Sequence, residues 1–444
     1  MRENAALTTA LAWPMPLLHL TPKRTLCHTA ANPARSFEVP IEPRHFERKT
    51  TISTFESLGL PPALLRAVAD LGFTTPTAIQ LASIPPALAG ADVLASAETG
   101  SGKSAAFGLP ILNTLMKLPR RKTRALILAP TRELTEQISR HLTLLAKHTD
   151  VRVAAVYGGV GFAPQLDAFK RGTDIIVATP GRLLDHLARG TANLDDISIL
   201  VLDEADRMLD MGFLPVVRRI RKYVRDEHQT LFFSATFPPQ LSGLTREMLK
   251  NPVRVELAAK AAPVSTLTQT LYATEQQHKT DLFLELLKDN KIYSAICFTR
   301  TKSRADRVAA ALSKNGIAAD LIHGDRSQSQ RTRALADFKR GKSRVLVATD
   351  IAARGIDIIE LGHVVNYDVP LEPEDYIHRI GRTARAQATG DAITFVSSEE
   401  EPLIRKIEYI LGERLERQRN PLFPEVSFAP PKPSVVYRSR SRRR

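Results

Sequence analysis

The strongest limit on the fold is a segment that occurs twice. "FKRGTDIIVATP" (Phe169–Pro180) returns as "FKRGKSRVLVATD" (Phe338–Asp350), one residue longer. Upstream, "ALILAPTR" (Ala125–Arg132) lines up with "AICFTRTK" (Ala295–Lys302) at the offset of 170 that also separates the two VAT triplets. Repetition on this scale predicts two copies of one domain with a cleft between them. Length agrees: the chain has 444 residues, whereas single cores stop growing at roughly 250–300.

Within each copy, short apolar runs alternate with longer helical patterns. "DVLASA" (92–97), "ALILA" (125–129), "DIIVAT" (174–179) and "ILVLD" (199–203) are apolar throughout, as strands covered on both faces are. Their length and the Gly, Pro or Asp that follows favour strand over buried helix. The expected fold class is α/β, a parallel sheet with helices on both faces in each copy. In such sheets the chemistry collects at the carboxyl ends of the strands.

The net charge is +15. A surplus of this size draws a chain towards nucleic acid or an anionic membrane and says nothing about fold. Part of it sits at the ends, with seven Lys/Arg against four Glu in residues 1–50 and six against Glu425 in residues 421–444. The body keeps +7. Cys27 and Cys297 show no metal-ligand spacing, so a reduced, cytoplasmic protein is expected. No apolar run approaches the ~20 residues of a membrane span. "ALAWPMPLLHL" (Ala10–Leu20) is broken by Pro14 and Pro16, which argues against a secretory signal. Its acid-poor surroundings leave three readings, a transit segment, a disordered extension or a start assigned too early.

The expected organisation is a disordered extension over 1–50, a first domain over 51–256, a linker over 257–266, a second domain over 267–420 and a basic, disordered tail over 421–444. The linker falls in "ELAAKAAPVST" (Glu256–Thr266) and the tail in "SFAPPKPSVVYRSRSRRR".

"ASAETGSGKS" (Ala95–Ser104) follows a strand and leads into a helical pattern. Gly100 and Gly102 let the backbone turn tightly with its N–H groups facing inwards. Lys103 can reach terminal phosphates, and the Ser104 hydroxyl can ligate Mg²⁺. Ala97 replaces the first glycine of the usual pattern. "ISILVLDEAD" (Ile197–Asp206) supplies the other half of such a site. Asp203 can hold Mg²⁺ through water, and Glu204 can orient or deprotonate an attacking water. Alone, "DEAD" would be a solvated acidic turn; after a buried strand and a P-loop, it makes nucleotide hydrolysis the leading reading.

These motifs, in this order, resemble the DEAD-box ATP-dependent RNA helicases of superfamily 2. "GFTTPTAIQ" (Gly72–Gln80) with Phe55 is similar to the Q motif, "AETGSGKS" and "DEAD" to motifs I and II, "PTRELTEQ" (Pro130–Gln137) to motif Ia. Gly158–Gly159 resembles the GG doublet, "TPGR" (Thr179–Arg182) motif Ib and "SAT" (Ser234–Thr236) motif III. In the second copy "CFTRT" resembles motif IV, "QRTR" (Gln330–Arg333) the QxxR element, "ATDIAARGID" (Ala348–Asp357) motif V and "HRIGRTARA" (His378–Ala386) motif VI. "FESLGL" ahead of the Q motif is most like the bacterial RhlE group.

The resemblance implies two RecA-like domains and an RNA-stimulated ATPase that unwinds short duplexes locally. It implies an ATP and Mg²⁺ site of Phe55, Gln80, Thr99, Gly100, Ser101, Gly102, Lys103, Ser104, Asp203 and Asp357. Phe55 is either a base-stacking aromatic or an ordinary core residue. Lys103, Asp203, Glu204, Arg382 and Arg385 would carry the chemistry, with the two arginines acting as fingers on the γ-phosphate. Asp206, Ser234, Thr236 and His378 would couple the two domains, although a lone histidine also fits a structural role. Arg379 would brace the second domain.

RNA contacts are implied for Pro130, Thr131, Arg132, Gly159, Thr179, Gly181 and Arg182 in the first copy. In the second they fall on Thr299, Arg300, Gln330, Arg333, Thr349 and Gly355. Contacts of these kinds are to the backbone, so binding would be independent of sequence and sensitive to salt. Three positions depart from the family pattern: Ser104 for Thr, Ala78 for Pro and Ala384 for Gly. The basic tail is either an RNA tether or an aid to solubility. Ribosomal or RNA-decay partners, no membrane and a monomer are expected. Two other functions stay open, an ATP-switched RNA clamp or assembly factor with little unwinding, and a DNA-directed ATPase.

Overall fold

A computed structural model describes residues 54–97, 100–257, 267–288, 292–353, 361–383 and 390–418. The expected extension, most of the linker, the tail, and Thr99, Gly355, Asp357, Ala384 and Arg385 lie outside the described residues.

Seven parallel strands form the first sheet: β1 (Val93–Ser96), β2 (Ala125–Leu128), β3 (Val153–Val156), β4 (Ile175–Ala178), β5 (Ile199–Leu202), β6 (Gln229–Ser234) and β7 (Val253–Glu256). Their order is β3-β4-β2-β5-β6-β1-β7. Seven more form the second: β8 (Leu267–Ala273), β9 (Ala295–Thr299), β10 (Ala319–Ile322), β11 (Val345–Thr349), β12 (His363–Asn366), β13 (Gly390–Val396) and β14 (Glu416–Gln418). Their order is β10-β11-β9-β12-β13-β8-β14. Adding seven to each strand number of the first order gives the second, so the sequence repeat is a repeat of topology. The VAT triplets end β4 and β11, which hold equivalent places.

Why the central strands are apolar throughout is visible in their neighbours. Residues alternate between two faces, and both faces are covered. Ala125, Ile127, Ile175, Val177, Ile199 and Val201 enter one core. Leu126, Leu128, Ile176, Ala178, Leu200 and Leu202 enter the other. The second sheet repeats this, with Ala295, Cys297, Val345 and Val347 on one side and Ile296, Phe298, Leu346 and Ala348 on the opposite one. The edge strands β7 and β14 are largely exposed; β14 is polar throughout, and β7 alternates valine with charged residues.

Because the paired strands run parallel, their carboxyl ends lie along one edge of each sheet. β1 leads into the glycine loop, β2 into Pro130, β4 into Thr179, β5 into Asp203 and β6 into Ser234–Thr236. In the second sheet, β9 leads into Arg300 and β11 ends on Thr349.

Candidate functional site

The loop after β1 is shaped for an anion. Gly100 and Gly102 have φ of +88° and +95°, the left-handed region that costs a side-chain-bearing residue roughly 1–2 kcal/mol. A Cβ on Gly102 would stand 2.5 Å from Gln80 Nε2. The helix Lys103–Leu115 starts directly after it, with Ser104 half-buried in its first turn. Its first N–H groups have no partners within the helix, so they suit a phosphate. Lys103 is 6% exposed. Among the described residues its ammonium has one hydrogen-bond acceptor, the Ala97 carbonyl at 2.9 Å. A buried cation with donors to spare fits a polyphosphate.

The Q-motif residues grip this loop. Gln80 Oε1 accepts from Thr77 N at 2.9 Å, and Nε2 donates to the Gly102 carbonyl at 3.1 Å. Its amide therefore closes a helix cap and holds the phosphate loop at once. Ala78 is the first residue of the helix Ala78–Leu88, a position that accepts alanine or proline because the N–H there is unpaired anyway. Phe55 is only 3% exposed and stacks on Phe73 at 6.5 Å. Of its two readings, the surroundings are those of a core residue.

β5 delivers the acidic tetrad. Asp203 is 2% exposed, and burial pushes its carboxyl well up, with Lys103 opposing. A bound divalent cation would relieve that cost, so Asp203 suits Mg²⁺ on this chemistry. Glu204 sits in the left-handed region at φ +54° and is paired with Arg207, one helical turn on. Burial raises the Glu204 carboxyl, but Arg207, Lys103 and Arg382 outweigh it and hold the group low. Asp206 ties the tetrad to the Ser234–Thr236 segment of the first copy. Its Oδ2 accepts from Ala235 N, Thr236 N and Thr236 Oγ1 at 3.0, 2.8 and 3.1 Å, while its own N–H donates to Ser234 Oγ at 3.1 Å.

The second copy supplies the facing wall. The helix Pro373–Ile380 carries His378 and Arg379, and Arg382 follows it. Arg379 braces the domain: it makes a two-point contact with Asp350 at 2.6 and 2.7 Å and also donates to Asn366 Oδ1 and the Asp368 carbonyl. His378 lines a small cleft with Arg207, Asp350, Asp375, Arg379 and Arg382. Burial, then the charge of Arg207, lowers its imidazole pKa, while Asp206 and Glu204 act the other way. Groups from both copies thus meet at His378.

The implied RNA residues fall into two sets. In the first copy Thr131 caps the helix Arg132–Leu145 through its hydroxyl, and Pro130 is buried beside it. The Arg132 guanidinium covers the doublet so closely that a Cβ on Gly159 would collide with it. Thr179 stands at the N-cap position of the helix Pro180–Ala188 without a side-chain cap bond, and a Cβ added to Gly181 would meet nothing within 4 Å. Arg182 donates to the Val160 carbonyl at 3.1 Å. In the second copy Thr299 and Thr349 are buried at strand ends. Arg300 is less free than expected, since its guanidinium is tied to Glu400 and the Val369 carbonyl, each at 2.9 Å.

Among the described residues, Gln330 and Arg333 make no hydrogen bond or ion pair with the first copy. Gln330 closes a cap with Ser327, and the Arg333 side chain is 84% exposed beside Asp337. Two residues earlier the same spacing recurs as Gln328 and Arg331. Arg331 meets Glu133 of the first copy at 2.7 Å, and Gln328 donates to the same carboxylate at 3.3 Å. Helical phase was the available signal, since Gln328, Arg331, Ala334 and Phe338 share one stripe. Arg207 was also missed, although it stands three residues after Glu204 on a helix.

The chain is similar to known proteins over most of its length. A model of the DEAD/DEAH box helicase family matches residues 77–243, and one of the helicase conserved C-terminal domain matches residues 278–387. The DEAD-box ATP-dependent RNA helicase CshA of Bacillus subtilis is 42% identical over 373 residues, covering 84% of this chain and 75% of that protein. Among solved structures, Saccharomyces cerevisiae Dbp5 bound to RNA and ADP BeF3 is 31% identical with a TM-score of 0.75, covering 82% of this chain and 95% of that one. Mss116p bound to ssRNA and AMP-PNP is 28% identical with a TM-score of 0.77, covering 84% and 81%. The nucleotide loop, the acidic tetrad, the facing arginines and these likenesses agree: the chain belongs to the DEAD-box ATP-dependent RNA helicases, built on two tandem RecA-like domains.

Proposed function

We propose that this protein hydrolyses ATP between its two domains only when RNA lies across both, and that closure separates short duplexes locally rather than processively. The observation that carries the reading is a convergence at the tetrad: Arg382, from the second copy, lines one small cleft with Arg207, the ion-pair partner of Glu204, and its charge helps hold that carboxyl low. That carboxylate can orient and deprotonate a water, and Arg382, with Arg385 three residues on in the sequence, neutralises charge as it develops. Asp206 passes the position of the tetrad to Ser234–Thr236, and His378 reads it from the second domain. RNA bound by Thr131, Arg132 and Arg182 on one side and by the loops after β9 and β11 on the other would draw the halves together. Gln328 and Arg331 replace Gln330 and Arg333 in that set.

Mg²⁺, held by Asp203 and Ser104, would shield the phosphates as charge shifts. Lys103 holds the terminal phosphates, while Gln80, Gly100, Ser101 and Gly102 shape the loop around them; Thr99 and Asp357 complete the proposed nucleotide contacts. Backbone contact implies sequence-independent RNA binding. That Dbp5 and Mss116p are seen with RNA and nucleotide analogues supports the reading. The proposed setting is the cytoplasm, as a monomer with ribosomal or RNA-decay partners. Among the described residues no helix is long and apolar enough to cross a membrane.

The test is a steady-state ATPase assay with matched RNA and DNA strands. Single-stranded RNA is expected to stimulate hydrolysis strongly and DNA not at all, and Glu204→Gln to lower the rate about 100-fold or more. Equal stimulation by both polymers would favour a DNA-directed or general ATPase. RNA stimulation without strand separation would favour an ATP-switched clamp.

A further inference from the structure

The helix Pro180–Ala188 carries more than the implied contact at Arg182. Arg182, His186 and Arg189 are spaced so that they share one face. Phe162, at the start of the helix Phe162–Lys170 and just past the Gly158–Gly159 doublet, lays its half-buried ring across that face. The ring centroid is 4.1 Å from the His186 ring, 4.7 Å from Arg182 Cζ and 4.4 Å from Arg189 Cζ. Seven residues along a helix span about 10 Å. One aromatic ring thus draws together two guanidiniums that stand at opposite ends of that span.

The two arginines are committed differently. Arg182 spends donors on the Val160 carbonyl and Gln165 Oε1, at 3.1 and 3.4 Å, which pins the loop that carries the glycine doublet. Arg189 is exposed. Among the described residues its guanidinium makes no hydrogen bond or ion pair; its contact is the ring. A planar fork held in place by stacking, with its N–H groups uncommitted, is prepared for an anion at little entropic cost.

We propose that Phe162 holds Arg182 and Arg189 as a guanidinium pair that extends the RNA path along this helix, gripping the phosphodiester backbone of single-stranded RNA beyond the glycine doublet. The ligand chemistry is a run of phosphates, without base readout. The proposal rests on the RNA reading above. Phe162 acts as a positioning residue, and Arg189 supplies the contact.

The experiment is fluorescence anisotropy with a labelled oligouridylate of about twenty nucleotides, longer than a single-strand site, titrated with the full chain across a salt series. Arg189→Ala is expected to weaken binding about three- to tenfold and to reduce the slope of log K against log salt by roughly 0.7, the value of one phosphate on a single strand. Phe162→Leu keeps the charge, so it should weaken binding while leaving most of the slope. Thermal midpoints check that both variants fold. Superimposable affinities and slopes for Arg189→Ala and the parent chain would overturn the proposal and leave the RNA reading standing. Loss of affinity in Phe162→Leu alone would also overturn it, by showing that the ring only packs the doublet. Failure of the parent chain to bind the oligouridylate would remove the RNA reading and the proposal together.

Discussion

The loops that follow β1 and β8 occupy the same place in the two copies, and each ends in a lysine that begins a helix. Lys103 lies seven residues after Ser96, and Lys279 six after Ala273. The first loop turns on Gly100 and Gly102 and leaves its lysine with one acceptor, the Ala97 carbonyl, among the described residues. The second has Gln276 and His278, in a 3-10 turn, where those glycines would be. Its lysine is fully enclosed, donating to the Tyr367 and Phe395 carbonyls at 2.9 and 3.2 Å and to the Glu400 carboxylate. Where one copy keeps a cation waiting for phosphate, the other has supplied the anion itself. Glu400 and Asp368 also hold Arg300 and Arg304. The filled site thus supports the loop after β9, where RNA is expected.

Exchanging the lysines for alanine breaks the comparison most sharply. Lys103→Ala removes a donor from the transferring phosphate and should lower ATP turnover about 100- to 1,000-fold, with little change in a urea melt. Lys279→Ala leaves buried carboxylates without their cation and should cost about 3–5 kcal/mol of stability, with ATP affinity retained in whatever fraction remains folded. A Lys279→Ala protein that melts normally but has lost ATP would mean that the second loop still serves the nucleotide.

A smaller effect sharpens the same contrast, because the open site also holds a buried carboxylate, Asp203, that lacks the cation the filled site supplies. Burial raises the Asp203 carboxyl above its ordinary value of 3.8. A raised acid binds its proton more tightly in the folded state, so its contribution to stability is full below 3.8 and is lost as pH rises through the raised value. Asp203→Asn should therefore stabilise the nucleotide-free protein in chelator at pH 8 by about 1–2 kcal/mol, with little gain at pH 4, while abolishing hydrolysis. Denaturant melts at the two pH values measure this, and an equal gain at both would show that Asp203 carries no such strain.

What could be read from the sequence was what local patterns encode. The repeat gave the likeness of the two domains, because equivalent strands carry equivalent words such as VAT, while the strand order came from the structure. The glycine loop and the tetrad were legible because a phosphate site is built from consecutive residues at a strand end. Asp206 with Ser234 and Thr236 was recovered through motif resemblance, since 28 to 30 residues separate those partners. The commitments of side chains were not legible. Nothing local says that Arg300 is tied to Glu400, that Gln80 spends its amide on Gly102, or that Glu204 is held by Arg207. Each depends on which groups the fold leaves within about 3 Å, and a side chain's type does not state its partner.

The overlapping spacings in "QSQRTR" show that limit at its narrowest and give the smallest of the expected effects. Both Gln328–Arg331 and Gln330–Arg333 satisfy the motif, and only helical phase separates them. Arg331 and Glu133 have side chains 11% and 10% exposed, so their pair is shielded from solvent and joins the copies. Arg333 is exposed and bound to its own helix. Arg331→Ala should raise the RNA concentration needed for half-maximal ATPase, and a double-mutant cycle with Glu133→Gln should show a coupling of about 1 kcal/mol. Arg333→Ala should change the same quantity by less than about 0.5 kcal/mol. The reverse order would mean that the contact with Glu133 is incidental and that RNA itself recruits the outer arginine, returning the motif to the register in which the sequence alone was read.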